Sequence, residues 1–244
     1  MISPYSQGDK NFKDLAKKRA DRIFSHYNFY DDVFYNNEII FSNANQLRNK
    51  YQDKKILIIG GGPSTNHYLS KQGDYPQKIE NYDYLWSANH FFLNPILKDR
   101  KIDLAMFMLE PDIQSKKFVE YYSNFKPTLG FELHDKWIKE KIPYQDCFMM
   151  QTRFYGVLGA CQRMLIFAGY LKAAEVHFVG LDGVEFIKKG MHSFEKDKIT
   201  MPSIKNVEVH RYQKQKLYEY LYNHFKETTK FKDLGVRFRN ELFK

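Results

Sequence analysis

The stretch Ile56-Leu57-Ile58-Ile59-Gly60-Gly61-Gly62-Pro63-Ser64 decides the fold that we expect for this chain. Four consecutive branched apolar residues are typical of a parallel strand that is buried on both faces. The glycines permit positive φ and a close approach of the backbone to a ligand, and a helix beginning after them would direct unsatisfied N–H groups at a phosphate. The stretch therefore predicts a phosphate-binding turn formed by Gly60, Gly61, Gly62 and Ser64. A tight strand-to-helix turn without a ligand is the alternative.

Outside this stretch, short apolar runs alternate with helical patterns. The runs predict strands at 84–88, 104–109, 147–150, 176–179 and 236–238. Helical periodicity lies between them at 113–125, 157–171 and 209–225. Strands that alternate with helices indicate a parallel sheet covered on both sides. The predicted fold class is α/β, Rossmann-like, with a mainly parallel sheet, helices on both faces and an N-terminal helical extension.

Two segments differ in composition. Residues 1–53 are largely polar, and their apolar residues follow a helical spacing at Phe12, Leu15, Ala16, Ala20 and Ile23. This pattern predicts a helical N-terminal extension that packs on the main domain or on a partner. Residues 54–244 are predicted to form the Rossmann-like nucleotide-binding catalytic domain.

Composition narrows the class of protein. At 43 % hydrophobic residues, the chain can bury the core of one large domain. No run approaches the roughly 18 apolar residues of a spanning helix, and no leader-like segment opens the chain, so we expect a cytoplasmic protein. Cys147 and Cys161 lack metal-like spacing, and buried thiols are expected there.

The net charge of +9 is densest in the tail from Lys226 to Lys244. Such a basic, aromatic surface suits an anionic membrane or anionic substrates, although a solvated surface is equally compatible with it. Zinc-finger spacing and aromatic RNA-binding motifs are absent from the sequence, so we expect no nucleic-acid partner.

Polar residues follow several of the predicted strands, where open parallel sheets bind their ligands. These candidates for a ligand-binding rim are Asn89, Glu110, Thr152, Tyr155, Gly156, Gly180 and Asp182. Asn89 could bind a base or a ribose, and a carboxylate at Glu110 or Asp182 could bind sugar hydroxyls or a metal; caps and turns are the structural alternatives. A dehydrogenase is disfavoured, because Thr65 replaces the third glycine of the NAD fingerprint and Asn89 replaces its acid.

Two histidines follow Asp182 in segments that we predict to be loops, His192 and His210. A neutral imidazole at such a place can take a proton from a hydroxyl at physiological pH. His177 lies within a predicted strand and is expected to be structural.

Together, the glycine turn, Asn89, Glu110-Pro111, Gly156-Val157 and Val179-Gly180-Leu181-Asp182 resemble one ordered pattern. It is similar to that of the bacterial CMP-sialic-acid-dependent sialyltransferases (glycosyltransferase family forty-two) and of the related Maf and hydroxymethylpterin pyrophosphokinase-like family. The resemblance covers about residues 54–240. Glu110 and Tyr155 depart from the sialyltransferase pattern, which has asparagine and serine at these positions.

The resemblance implies roles for individual residues. The glycine turn would hold the nucleotide, together with Asn89 and the 152–156 loop, and His210 would be the general base. The two tyrosines that assist the leaving phosphate in those enzymes have no counterpart here, so His192, Lys188 or Lys189 would replace them. Maf-like proteins carry a Ser/Thr-His element after the aspartate, which makes His192 a second candidate for the general base.

The function implied is a glycosyltransferase that uses a nucleotide-activated, CMP-linked, sialic-acid-like donor. Its acceptor would be a surface glycan or a lipid-linked glycan of lipopolysaccharide or capsule biosynthesis. The protein would need no cofactor or metal, could sit peripheral to the inner membrane through its basic C-terminal tail, and could form a homo-oligomer. The alternatives are a pyrophosphokinase, in which Glu110 and Asp182 place Mg²⁺, and a non-catalytic nucleotide-binding module.

Overall fold

The computed structural model describes residues 34–35, 44–107, 113–132, 144, 146–150, 159–183, 191–195 and 207–242. Its sheet has the strand order β1-β6-β5-β4-β3-β2-β7-β8. The strands are β1 Phe34–Tyr35, β2 Lys55–Ile59, β3 Tyr84–Ala88, β4 Leu104–Phe107, β5 Thr128–Glu132, β6 Cys147–Met150, β7 Glu175–Val179 and β8 Lys230–Asp233. Strands β2 to β8 are parallel, and the short β1 pairs antiparallel with β6. The predicted Rossmann-like α/β class is confirmed.

Helices connect the strands. They are α1 Ala44–Tyr51, α2 Ser64–Ser70, α3 Lys116–Phe125, α4 Ala160–Tyr170, α5 Val207–Phe225 and α6 Val236–Glu241. Short 3-10 turns cover Gln72–Asp74, Ile79–Asn81, Asn89–Leu93 and Leu97–Asp99. The side chain of Ser115 caps α3 by accepting from the Phe118 N–H, and Lys126 ends this helix in the left-handed conformation at φ 45°.

The core lies on both sides of β2, whose residues Ile56 to Ile59 are fully buried. Helix α4 packs against β2, β3, β4 and α5. Its approach to α5 depends on Gly169, because a Cβ atom there would lie 2.6 Å from the ring of Phe225. A residue without a side chain at position 169 therefore allows the two helices to pack closely.

Two strand predictions need correction. Residues 236–238, predicted as the last strand, begin helix α6, and the last strand is β8 instead. An alternation of apolar and basic residues fits one turn of an amphipathic helix as well as a strand. Strand β5 was not predicted; it contains Gly130, where a Cβ atom would lie 3.1 Å from the ring of Phe148. The predicted residues 108 and 109 of the fourth strand lie outside the described ranges.

The described end of the N-terminal segment belongs to the core. Leu47 and Tyr51 of α1 are buried, and the Tyr51 ring packs edge-on against Tyr84 and Trp86 at centroid distances of 4.8 and 4.9 Å. Asp53, at φ 59°, then turns the chain into β2. The apolar face predicted at residues 12–23 lies outside the described ranges, so the domain boundary at residue 53 stays a prediction.

Candidate functional site

The strand order reverses at β2, which lies between β3 and β7. In an open parallel sheet, the loops that leave such a switch point diverge and form a crevice at the carboxyl ends of the strands. The switch point brings together Gly60 to Gly62 after β2, Asn89 after β3 and Gly180 to Asp182 after β7. This part of the predicted convergence is confirmed.

The glycine turn hydrogen-bonds to the loop after β7. The Gly62 N–H donates to the Gly180 carbonyl (2.9 Å), the Ser64 N–H donates to Asp182 Oδ2 (2.9 Å) and the Gly180 N–H donates to Ser64 Oγ (2.9 Å). Ser64 is fully buried. The expectation that this turn offers a row of open N–H groups and a serine hydroxyl to a phosphate is therefore wrong for Gly62 and Ser64, because the neighbouring loop already satisfies them.

Each of the three glycines has a steric reason. A Cβ atom on Gly60 would lie 2.6 Å from the Gly180 carbonyl oxygen, and one on Gly62 would lie 2.5 Å from Asp182 Oδ2. A Cβ atom on Gly61 would instead meet the ring of His192, 2.4 Å from Nε2. Positive φ among the described glycines occurs at Gly180 and Gly183. The three glycines are thus required by close contact, and Gly61 is the one that faces the His192 ring.

Asp182 belongs to the interior. Its side chain is 0 % exposed, and its Oδ1 accepts from Arg239 Nη1 at 3.0 Å, while the other guanidinium nitrogen of Arg239 lies 2.6 Å from Asp233 Oδ2. Burial alone would lower the pKa of Arg239, but the two carboxylates outweigh it and raise this pKa. The prediction that Asp182 lies on the ligand rim is wrong; its carboxylate joins the start of α2 to α6.

His192 is held over the glycine turn. Its Nδ1 accepts from the backbone N–H groups of Phe194 (3.3 Å) and Glu195 (3.1 Å). A ring nitrogen that accepts hydrogen bonds carries no proton, so the neutral ring has its hydrogen on Nε2. The nitrogen next to Gly61 is therefore a hydrogen-bond donor.

The segment that carries His192 is anchored to the same turn. The Ser193 N–H donates to the Gly61 carbonyl (2.8 Å), and Ser193 Oγ donates to the Gly62 carbonyl (2.7 Å). The buried Asn94 donates from Nδ2 to the Ser193 carbonyl at 2.9 Å. These bonds fix the position of the His192 ring relative to the carboxyl ends of β2 and β3.

A second histidine lies beside this segment. His90, in the turn after β3, has its Nδ1 at 3.0 Å from Glu195 Oε2, an ion-pair distance without the alignment of a hydrogen bond. The side chains are 19 % and 26 % exposed, so both are partly accessible to solvent. The sequence offered no signal for this pair, because Glu195 and His90 meet only through the sheet topology.

Asn89 ends β3 with φ 53°. The left-handed conformation is strained for most L-residues, and asparagine tolerates it better than almost any other. Residue 89 thereby turns the chain sharply at the crevice, which is compatible with the predicted nucleotide contact and with the structural alternative of a turn.

Part of the predicted site belongs to segments outside the described residues. Glu110, Thr152, Tyr155, Gly156, Lys188 and Lys189 lie outside the described residues. His210 was predicted to lie in a loop before the last long helix; its backbone instead lies inside that helix, α5, because the helix already begins at Val207. Its side chain is outside the described set. Residue 210 precedes Lys214 by one turn, and Lys214 Nζ donates to the Leu181 carbonyl (2.8 Å).

The predicted burial of the two thiols is confirmed, and His177 is buried as well. Cys147 and Cys161 are free, buried thiols, and burial raises the pKa of both, that of Cys161 to about 12. His177 is buried in β7, where the Tyr82 hydroxyl lies 2.7 Å from its Nδ1. Burial lowers the pKa of His177.

Two arginines of the basic tail form ion pairs with acidic residues of the same chain. Arg239 is paired with Asp182 and Asp233, and Arg237 lies 3.0 Å from Glu241 and 3.8 Å from Asp74. Lys226, Lys230 and Lys232 remain exposed. No helix within the described ranges combines the length and apolarity needed to cross a membrane. The described residues also contain no group of three or more His, Cys, Asp or Glu side chains placed to hold a metal ion.

No family model matches the chain. No curated protein matches it significantly. Among solved structures, a mammalian sialyltransferase is similar at a TM-score of 0.44 and 7 % identity, over 73 % of this chain and 68 % of that one. A mammalian sialyltransferase in complex with Gal-beta-1-3GalNAc-ortho-nitrophenol is similar at a TM-score of 0.46 and 9 % identity, over 95 % of this chain and 89 % of that one. Likenesses at this level establish neither a family nor an activity.

Proposed function

We propose that the protein is a glycosyltransferase whose crevice at the carboxyl ends of β2, β3 and β7 binds a nucleotide-activated sugar. The donor we propose is CMP-linked and sialic-acid-like, and the acceptor is a surface glycan or a lipid-linked glycan. Support comes from the ordered sequence motifs, and the observation that carries the proposal is the His192 ring, which rests on Gly61 with its Nε2–H at the switch point. Ligands bind at this place in open parallel sheets.

His192 supplies the donor hydrogen bond that the leaving phosphate needs. Because Nδ1 accepts two backbone N–H groups, the imidazole cannot gain a second proton without losing both bonds. In this tautomer, Nε2–H is the group that donates to the negative charge that develops on the phosphate oxygen. His192 is one of the three candidates, with Lys188 and Lys189, to replace the two tyrosines of the enzymes that the sequence resembles. Preorganised donors of this kind contribute about 10²–10³ in rate.

Other residues complete the proposed site. Asn89 contacts the base or ribose, Gly61 leaves room for the His192 ring, and the 152–156 loop with Tyr155 binds the nucleotide. His210 is the general base that the sequence motifs favour, and its position one turn before Lys214 puts its helix turn near the loop after β7. Lys188 and Lys189 remain proposed contacts of the leaving phosphate.

The pyrophosphokinase alternative is less compatible with the geometry. In that reaction Asp182 would coordinate Mg²⁺, but its two oxygens already accept from the Ser64 N–H and from Arg239. If Asp182 coordinated Mg²⁺, Arg239 would keep only Asp233 as a partner for its partly buried charge, and this loss would destabilise the fold. The location of the enzyme at a membrane stays a proposal that rests on Lys226, Lys230 and Lys232.

Thermal stabilisation of the purified protein tests the proposal. The panel is CMP, CDP, UDP, GDP and ATP, each with and without magnesium, because a ligand that binds only the folded state raises its stability by about 2.7 kcal/mol at a hundred times its Kd. We expect stabilisation by CMP that does not require magnesium. A shift only with ATP and magnesium would overturn the proposal in favour of diphosphate transfer.

Turnover separates the enzyme from a binding module. Hydrolysis of CMP-linked sialic acid is measured for the wild type and for His192→Ala and His210→Ala, with His224→Ala as the control. His224 is exposed and stacks on Tyr220 at a centroid distance of 4.0 Å, at the other end of α5. CMP binding without turnover in the wild type would favour the non-catalytic module.

A further inference from the structure

Ser193 uses each of its polar groups to hold a neighbouring element. Its backbone N–H donates to the Gly61 carbonyl at 2.8 Å, and its hydroxyl donates to the Gly62 carbonyl at 2.7 Å. The same hydroxyl accepts from the Asn66 N–H at 3.3 Å, and the Ser193 carbonyl accepts from Asn94 Nδ2 at 2.9 Å. Ser193 is buried. This one residue therefore joins the glycine turn, helix α2 and the turn after β3.

The side chain of Asn94 fixes Ser193 from the other side. Its Oδ1 accepts from the N–H groups of Ile96 (3.0 Å) and Leu97 (3.2 Å), and its Nδ2 donates to the Ser193 carbonyl and to Asn66 Oδ1 (3.1 Å). Because the oxygen faces two donors and the nitrogen faces two acceptors, one orientation of the amide satisfies all four bonds. A buried network in which every member is bonded holds a single geometry, since a displacement would leave buried polar groups unpaired.

The peptide group between Gly61 and Gly62 is held on both of its sides. In a trans peptide the carbonyl and the N–H point in opposite directions. Here the Gly61 carbonyl accepts from the Ser193 N–H at 2.8 Å, while the Gly62 N–H donates to the Gly180 carbonyl at 2.9 Å. Glycine residues adopt more backbone conformations than any other residue, so bonds of this kind are needed to hold the turn in one of them. The turn is thus clamped between the loop after β7 and the segment that carries His192.

We propose that Ser193, held by Asn94, is a positioning residue that sets the His192 ring against the glycine turn. Ser193 directly follows His192 in the chain, so a shift of one moves the other. The ring adjoins Gly61, where a Cβ atom would lie 2.5 Å from Cε1 of His192. The consequence rests on the proposed function: a donor to the leaving phosphate must stand at a fixed place beside the nucleotide, and a misplacement of about 1 Å can cost about a hundredfold in rate.

Ser87 offers a matched control for a buried serine. It is fully buried, and its hydroxyl donates to the Ile59 carbonyl at 2.7 Å, the same length as the bond from the Ser193 hydroxyl. The Ser87 bond, however, joins β3 to β2 at paired positions that the sheet already holds together. Replacing Ser87 by alanine therefore removes a comparable hydrogen bond without releasing the segment that carries His192.

Proton NMR measures the position of the ring without a ligand. In full-length protein with protonated histidine and glycine in a deuterated background, the nuclear Overhauser effect between Hε1 of His192 and the α-hydrogens of Gly61 reports their contact. His192→Ala identifies the signal by its loss. We expect a strong effect in the wild type and in Ser87→Ala, and a loss of most of its intensity in Ser193→Ala. Wild-type intensity in Ser193→Ala, or an equal loss in Ser87→Ala, would overturn the proposal.

Binding of CMP separates positioning from stability. Each alanine variant loses a buried hydrogen bond of the same length, so both should unfold at a lower urea concentration than the wild type. Isothermal titration should show CMP affinity reduced at least about fivefold in Ser193→Ala and unchanged in Ser87→Ala. Unchanged affinity in Ser193→Ala, or equal weakening in both variants, contradicts the proposal. If the wild type does not bind CMP, the proposed function fails, and the NMR result still decides whether Ser193 positions His192.

Discussion

The imidazole of His192 occupies the space in which a side chain on Gly61 would stand, since a Cβ atom there would lie 2.4 Å from Nε2 and 2.5 Å from Cε1. The contact joins the turn after β2 to the segment 191–195. It explains why the middle residue of the triple glycine has no side chain. It also lets the role of the ring be tested without altering His192 itself.

Gly61→Ala should displace the His192 ring while leaving the backbone in place. We expect hydrolysis of CMP-linked sialic acid to fall at least about tenfold and the free energy of unfolding to change by less than about 1 kcal/mol, because only a side chain must move. Gly62→Ala is the control. Its new Cβ atom would lie 2.7 Å from the Gly180 carbonyl oxygen, so overpacking should cost about 1–3 kcal/mol of stability. Wild-type hydrolysis by Gly61→Ala would show that the ring position does not matter.

Arg239→Met should strongly destabilise the fold. The substitution leaves the buried carboxylate of Asp182 without its cation, and breaking a buried pair costs about 3–5 kcal/mol. Arg237→Met is the comparison, because Arg237 makes exposed ion pairs worth at most about 1 kcal/mol. Urea unfolding followed by circular dichroism measures both. Equal losses in the two variants would contradict the central place of the Asp182–Arg239 pair.

His177 should make stability depend on pH. Its pKa is lowered in the folded protein by burial, so the unfolded chain binds a proton more readily. Stability is then fully present above the unfolded pKa of about 6.5 and falls as the pH drops below it, by at most about 1.4 kcal/mol per pH unit. His177→Gln removes the titration. The unfolding free energy of the wild type should fall relative to that of His177→Gln as the pH drops from 7.5 to 5.5. Parallel curves would contradict the prediction.

The two thiols should resist modification in the folded protein. Burial and a raised pKa keep Cys147 and Cys161 protonated near neutral pH, and the thiolate is the reactive form. A colorimetric thiol reagent should react with neither under native conditions and with both in denaturant. Rapid reaction of one thiol in the native protein would show that its burial is incomplete.

The sequence allowed prediction of the elements whose signals are local. The apolar run 56–59 followed by glycines identified β2, and the runs at 84–88, 147–150 and 176–179 identified β3, β6 and β7. Strand β8 was missed because Lys230–Asp233 lies at the sheet edge and contains a single apolar residue among three charged ones. Residues 236–238 alternate apolar with basic residues, a pattern that fits a strand and one turn of a helix equally well.

The sequence allowed us to predict where the candidate site lies, but not which side chains contact one another there. Strand ends and the switch-point rule placed Gly60 to Gly62, Asn89 and Gly180 together. The partners of the functional groups depend on tertiary contacts between distant positions, as in Asp182 with Arg239 and Glu195 with His90. For that reason a carboxylate assigned to the rim turned out to be buried, and a histidine without a recognisable motif turned out to lie next to Glu195 in the turn after β3.

Isothermal titration with CMP in the absence of magnesium tests the central claim, that the crevice around Gly61 and His192 binds the nucleotide of an activated sugar. The wild type and His224→Ala should bind with the same Kd. His192→Ala should bind about ten- to a hundredfold more weakly, since a hydrogen bond to a charged group contributes about 1.5–3 kcal/mol. Absence of CMP binding by the wild type, or equal affinity in His192→Ala, would contradict the account.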